Sequence, residues 1–243
     1  MKKLILAIFM AAILVSNSQA APLKVTVGGI DDGAPIPEKF AHCVAKGADK
    51  SADGENTSPL ISWEKGPDGT KSYAVIVVDR DVPTNFDNAN KDGKTIEEAA
   101  PRQNFYHWIV LNIPVNITSI AEGKGKEKGF GDQLVNDFLK FSGLKKTGQN
   151  IKKFVGYDGP CPPWNDERVH NYHFKVYALS DSFNLGDDFE SSYTGNDIVH
   201  KIAPFILAEG EVIGTYTLNP ALKPDAPKAA IAPTATAPAE SKQ

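Results

Sequence analysis

The chain has 243 residues, 26 lysines and arginines against 30 aspartates and glutamates, and a formal charge of −4. That balance offers no basic surface to a phosphate backbone, which excludes nucleic acid as a partner. Neither of the two cysteines lies at zinc-ligand spacing from another Cys or His, so a structural zinc site is excluded as well.

The chain opens MKKLILAIFMAAILVSNSQA. Lys2 and Lys3 give a positive start, Leu4 to Val15 an apolar stretch, and Ser18-Gln19-Ala20 a small-x-small cleavage signal. Residues 1–20 therefore read as a secretory signal peptide. The apolar stretch falls short of the ~20 residues that a membrane-spanning helix needs. Cleavage would remove two lysines and no acid, and no cysteine follows the site for lipid attachment. The expected location is periplasmic or secreted, with no integral membrane segment in the mature chain. In such an oxidising compartment Cys43 and Cys161 are expected to pair.

Residues 21–220 read as one mostly β domain. Leu23 to Val27 alternates apolar and polar, GGIDDGAPIP is turn chemistry, and TSPLISW (Thr57 to Trp63) is a short strand. KSYAVIVVDRDVP is a nearly continuous apolar run, the mark of a strand buried on both faces. TNFDNANKDGKTIEEAAPRQN follows as a loop, and FYHWIVLNIP (Phe105 to Pro114) as a second buried strand. Glu122 to Lys153 is rich in Lys and Gly and reads as a solvated loop, with an amphipathic piece at DQLVNDFLKF. VHNYHFKVYAL is the third core strand. YTGNDIVHKIAPFILAEG predicts a helix capped by Thr194 with Asp197 three residues on, limited by Pro204, and EVIGTYTL a last strand. Residues 221–243, dominated by Ala, Pro and Lys, read as a flexible tail. Long strands, long loops and one late helix predict an all-β, sandwich-like domain.

Polar residues gather where the three core strands meet proline-rich loops. If the first strand is regular, Asp79 and Asp81 share a face; His107 shares one with Ile109 and Leu111; His170 shares one with Tyr172, Phe174 and Val176. His173 points to the opposite face from His170, so the two cannot chelate a metal together. Pro160, Pro162 and Pro163 fix φ and withhold N–H donors, which makes a rigid apolar wall beside His170. A histidine near an aspartate is biased toward its charged form and can then donate to a phosphate or carboxylate. Trp63 and Trp108 read as core, Trp164 as the edge of the pocket, His42 as packing near the disulfide, and His200 as helix surface.

The stretches ENTSPLISW, GTKSYAVIVVDRDVP, HWIVLNIP, YDGPCPPWND, VHNYHFKVYAL and GTYTLNP resemble the bacterial, Raf-kinase-inhibitor-like branch of the phosphatidylethanolamine-binding protein family. The resemblance runs from about Pro35 to Pro220. It implies a β-sandwich with few peripheral helices, one of them near the C-terminus, and an anion pocket for phosphate or a phospholipid headgroup. The family's Asp-Pro-Asp-x-Pro motif falls on Asp79, Arg80, Asp81, Val82 and Pro83, and its strand-initial histidine on His107. Its Gly-x-x-Pro-Pro segment falls on Gly159 to Pro163, and its His-Arg-Tyr triplet on His170, Asn171 and Tyr172. Arg80 stands where the family has proline and Asn171 where it has arginine; Arg80 either adds charge at the pocket rim or faces away.

The function expected from all this is an exported binding protein. His107 and His170 would donate to the anion, Asp79 would orient and charge them, and Tyr172 would add a hydroxyl contact, with Asp81, Gly159, Pro160 and Pro162 completing the pocket. Two other classes stand beside it. An Asp/His acid–base enzyme lacks a serine in a Gly-x-Ser-x-Gly elbow. An inhibitor or signalling partner of an extracytoplasmic protein would use the Glu122 to Lys153 segment or the tail as its contact surface. No nucleotide loop is present and no cofactor is implied.

Overall fold

A computed structural model describes residues 20–47, 50–142, 149–186 and 193–223. The expected signal peptide and almost all of the expected tail lie outside the described residues. The main sheet holds β1 (Ala21–Pro22), β6 (Ser72–Pro83), β7 (Arg102–Pro114), β9 (Asp132–Gln133), β10 (His170–Leu179) and β11 (Ile206–Tyr216), in the order β1-β11-β10-β6-β7-β9. β2 (Val25–Val27), β5 (Ile61–Trp63) and β8 (Ser119–Ile120) form a second sheet, and β3 (Cys43–Ala45) pairs with β4 (Ser51–Asp53).

β6 and β7 are apolar on both faces because both faces are covered, and β10 is apolar on its inner face and at its C-terminal end. Val75, Val77, Trp108 and Phe174 pack toward Trp63 and Ile61 of the second sheet, the interior of a β-sandwich. Ile76, Ile109 and Leu111 pack the other way, against Ile198 and Ile202 of a helix, α3, which follows two single helical turns, α1 (Phe138–Phe141) and α2 (Gln149–Lys152). That helix spans Gly195–Ile202 and carries the expected capping box, in which Thr194 and Asp197 bond each other's backbone N–H. It ends earlier than the sequence predicts: Ala203–Phe205 tightens into a 3-10 turn around Pro204, and Ile206 already belongs to β11. Proline removes the N–H that would continue the helix, and the residues beyond it pair with β10 instead. A glycine is required at position 195, where a Cβ would come within 2.1 Å of the Tyr106 ring.

Of the three register shifts between β6 and β7, two break the alternation expected at the site residues. Val77 faces Trp108 and Val78 faces Tyr106, so His107 is an extra, unpaired residue on β7. This bulge puts His107 on the inner side with Trp108 and Val110, not with Ile109 and Leu111. The second shift falls between Asp79 and Val82, and it separates Asp79 from Asp81.

Cys43 and Cys161 are joined, 118 residues apart in sequence. The backbone N–H of Cys43 also bonds the carbonyl of Pro160, so the proline-rich loop is held to β3 twice. Loop closure of this length is worth about 4–5 kcal/mol in the denatured ensemble. A Cys43→Ala/Cys161→Ala variant should lose most of that in guanidinium unfolding, with a steeper slope because the freed denatured chain exposes more surface; a loss under about 1 kcal/mol at unchanged slope would mean that the denatured chain is already compact around this bridge.

Candidate functional site

The site is built on a chain of buried charges at one end of the main sheet. His170, fully buried at the start of β10, has Nδ1 at 2.6 Å from Asp79 Oδ2 and Nε2 at 3.2 Å from Asp166 Oδ2. Asp166 in turn receives both guanidinium nitrogens of Arg102, at 2.6 and 3.0 Å. Burial alone would push the His170 pKa down; the Asp79 charge and the bonds to Asp166 and Asp79 reverse this and raise it to about 9. Burial also opposes ionisation of Asp166, but the bonds from His170 and Arg102 hold its carboxyl below the usual range. The other Asp79 oxygen accepts the N–H of Asp81 at 2.8 Å, a local turn made by the second irregularity.

His107 is held differently. Its Nδ1 lies 2.8 Å from the carbonyl of Asp158, so Nδ1 carries the proton and Nε2 presents a lone pair. That Nε2 is buried without a hydrogen-bond partner. Burial pushes the ring's pKa below its ordinary 6.5, against the opposing charges of Asp79 and Asp158. The Asp158 carboxylate, itself buried, accepts from Asn56 at 2.6 Å, Lys126 at 2.7 Å and Asn136 at 2.7 Å. Burial works to raise its pKa, but His42, Lys126 and Asn136 hold it down to about 2.

Between these groups lies a cavity of about 210 Å³. Asp79, His107 and His170 reach it from the core strands, and Cys161, Pro162 and Pro163 form the rigid wall expected from the sequence. Phe86, Phe105, Phe138 and Phe141 make up much of the rest. Other expected site residues stand elsewhere. His170 cannot donate to a ligand, because both its nitrogens already face carboxylates. The Tyr172 hydroxyl is buried against the ring of His107 rather than open to the cavity, and burial together with the Asp79 charge raises its pKa well above 10. Asp81 turns away to Arg168 at 3.1 Å and to the backbone and side chain of Asn171 at 2.9 and 2.8 Å. Gly159 and Pro160 set the loop from behind: the Gly159 N–H bonds Asn56, and a Cβ there would collide with the Phe40 carbonyl. Arg80 is exposed and bears on Tyr106 and Tyr177, on the far face of the sheet. Trp164 lines a neighbouring cleft, under the ammonium of Lys50, rather than the edge of this one.

Sequence reasoning missed the four phenylalanines, Asp158, Asp166 and Arg102. Phe138 and Phe141 belong to a single helical turn, α1 (Phe138–Phe141), inside the segment read as a solvated loop. Their spacing of three within DFLKF, which puts both rings on one side of a turn, was the available signal. Asp166 had none beyond its position four residues before His170. His173 does face away, as expected, with Nδ1 at 3.1 Å from Glu211; His42 packs its ring on Phe138, 4.7 Å between centroids. Among the described residues no group of three His, Cys, Asp or Glu side chains is arranged to hold a metal ion.

Because the folded pKa of His170 lies above its unfolded value, its contribution is complete below pH 6.5 and is lost as pH rises through about 9. The protein should therefore lose about 3 kcal/mol between those limits, read as a fall in melting temperature, and His170→Gln should flatten the profile. A wild-type profile without that fall would mean that His170 folds uncharged.

Comparison with known proteins agrees with this architecture. The family model for phosphatidylethanolamine-binding protein matches residues 27–217. The UPF0098 protein YbcL of Escherichia coli K12 is 32% identical over 179 residues, covering 74% of this chain and 80% of YbcL. A UPF0098 protein of Aquifex aeolicus is 32% identical over 191 residues, 76% of this chain and 90% of its own. The crystal structure of E. coli YbcL, described as a new member of the mammalian PEBP family, superposes with a TM-score of 0.58 at 28% identity, over 81% of this chain and 99% of that one. In sequence and in fold alike, this chain belongs to the phosphatidylethanolamine-binding protein family.

Proposed function

We propose that the chain is an exported binding protein whose cavity takes a small phosphorylated headgroup, that of a phospholipid or its free form. One observation carries the reading: a buried, unpartnered His107 Nε2 stands at the cavity with Asp79, while every other polar atom of the two histidines is already bonded. Among the described residues Trp63 Nε1 and the Tyr172 hydroxyl are also buried without a partner, but only His107 lines the cavity, so its Nε2 is the place kept for a ligand. The cavity is small and walled by proline and aromatic side chains, which suits a headgroup and leaves any acyl chains outside. Export is supported by the character of residues 1–20 and by the joined cysteines.

Binding is favoured over catalysis by the way the histidines are fixed. His170 is locked between two carboxylates, so it has no free nitrogen with which to exchange a proton with a substrate. An extracytoplasmic protein partner remains compatible with this pocket.

Titration calorimetry of residues 21–243 with phosphoethanolamine at neutral pH tests the reading. Binding should be saturable, and His107→Ala should weaken it at least about tenfold while circular dichroism stays unchanged, since a lost bond to a charged ligand group costs about 1.5–3 kcal/mol. Folded wild-type protein that gives no binding, or an alanine variant that binds equally well, would defeat it.

A further inference from the structure

We propose that the anion enters this cavity together with one proton from solvent, taken up at His107 Nε2, and that the Asn90 amide is its second donor. The inference rests on the headgroup reading above and adds how the charge of the ligand is met.

The fixed charges around the cavity cancel. Asp79 and Asp166 stand against His170 and Arg102. The other two carboxylates that bear on His107 have cations of their own, Asp158 in Lys126 and Asp137 in Lys140, each at 2.7 Å. No lysine or arginine is among the described residues that line the cavity. An anion placed there with nothing further would be a buried charge without a partner, which is costly. Three ionisable groups line the cavity, Asp79, His107 and His170, and the first and last are already bonded to each other. His107 is therefore the group that can supply the missing charge.

Only one of its atoms can do so. Nδ1 is committed to the Asp158 carbonyl, so an added proton goes to Nε2. Burial keeps the ring neutral by itself, and the groups facing it from β6 and β10 cannot take the proton in its place: Asp79 is bonded to the charged His170, and the Tyr172 hydroxyl is already protonated. Once protonated, Nε2 changes from a lone pair facing the anion into a charged donor bonded to it.

Asn90 reaches the cavity from the loop after β6. Its φ of 56° is left-handed, a conformation that asparagine adopts more readily than most side chains. Its backbone N–H bonds Asn165 Oδ1 at 2.9 Å, and its own Oδ1 accepts the Trp164 N–H at 3.0 Å. Asn165 donates in turn to the carbonyls of Asn88 and Lys94 at 2.9 and 2.8 Å, which holds this loop to the proline-rich wall. With the oxygen engaged, the NH₂ is what the amide has to offer the cavity that Asn90 lines. An amide donates at any pH, so the proton dependence belongs to His107.

The probe is glycerophosphoethanolamine, a phosphodiester with no proton of its own to give near neutral pH. Calorimetry on residues 21–243 at pH 7.5, in two buffers of different ionisation enthalpy, should give observed enthalpies that differ by the equivalent of about one proton per ligand. The association constant should fall as pH rises from 7 to 8, by up to about tenfold. Both values lie below the range in which His170 loses its charge. His107→Gln, which offers an uncharged N–H donor, should bind with neither dependence. Asn90→Asp keeps an oxygen for the Trp164 N–H and tolerates the left-handed turn but removes the NH₂, and should weaken binding at least about tenfold; a loss under about threefold would take Asn90 out of the site. Wild-type binding that is equal at both pH values and in both buffers would overturn the proton uptake and leave the headgroup reading standing. Binding of phosphoethanolamine without the diester would do the same, because that ligand can bring its own proton. If neither compound binds to folded protein, both readings fall together.

Discussion

Four charges alternate through the floor of this protein: Asp79, His170, Asp166 and Arg102, joined by bonds of 2.6 to 3.2 Å. Each is expensive to bury alone, and removing a single partner from such an array typically costs about 3–5 kcal/mol because the remaining charge is stranded. The array therefore dictates geometry. β6 must present Asp79, β10 must begin at His170, β7 must begin at Arg102, and the loop before β10 must bring Asp166 back over the histidine. Rigidity in that loop follows as a requirement, since a mobile Asp166 would leave His170 and Arg102 half satisfied. The prolines, the bridge to Cys43 and the Asn56 bond to Gly159 supply it.

A second anchor, Asp158, settles the state of His107. Its carboxylate is fully employed by Asn56, Lys126 and Asn136, which fixes its backbone, and its backbone carbonyl fixes the imidazole tautomer. The two histidines thus have opposite fates from similar surroundings: one charged and fully bonded, the other neutral with a nitrogen to spare. Proximity of histidine to aspartate does not decide between these; the identity of each nitrogen's partner does.

Much of this was readable from residue order. Continuous apolar runs identified β6 and β7 as doubly buried, the stretch VHNYHFKVYAL gave β10 as the third core strand, the Thr194/Asp197 cap located α3, and strand ends beside prolines located the cavity. Period-two alternation failed at His107 and Asp81, because a bulge is a property of the pairing between strands and leaves no mark in either strand alone. The aromatic wall of the cavity was hidden for a related reason. Phe86 sits in a hydrophilic loop and Phe138 and Phe141 in one helical turn among lysines, so no periodic pattern singles them out. Only the fold brings these segments to Phe105.

The bulge at His107 has a further meaning. Tyr106 and Ile109 share the helix-covered face, and Trp108 and Val110 the inner one, so from Tyr106 to Leu111 the two faces stay in phase if residue 107 is simply left out. His107 is thus supernumerary to the alternation, and its bonds go instead to Asp158, whose N–H its carbonyl accepts at 3.0 Å and whose carbonyl faces its Nδ1 at 2.8 Å. The inserted residue therefore ties β7 to the loop before β10, and a strand shortened by it would keep the barrier between the two cores while releasing that tie.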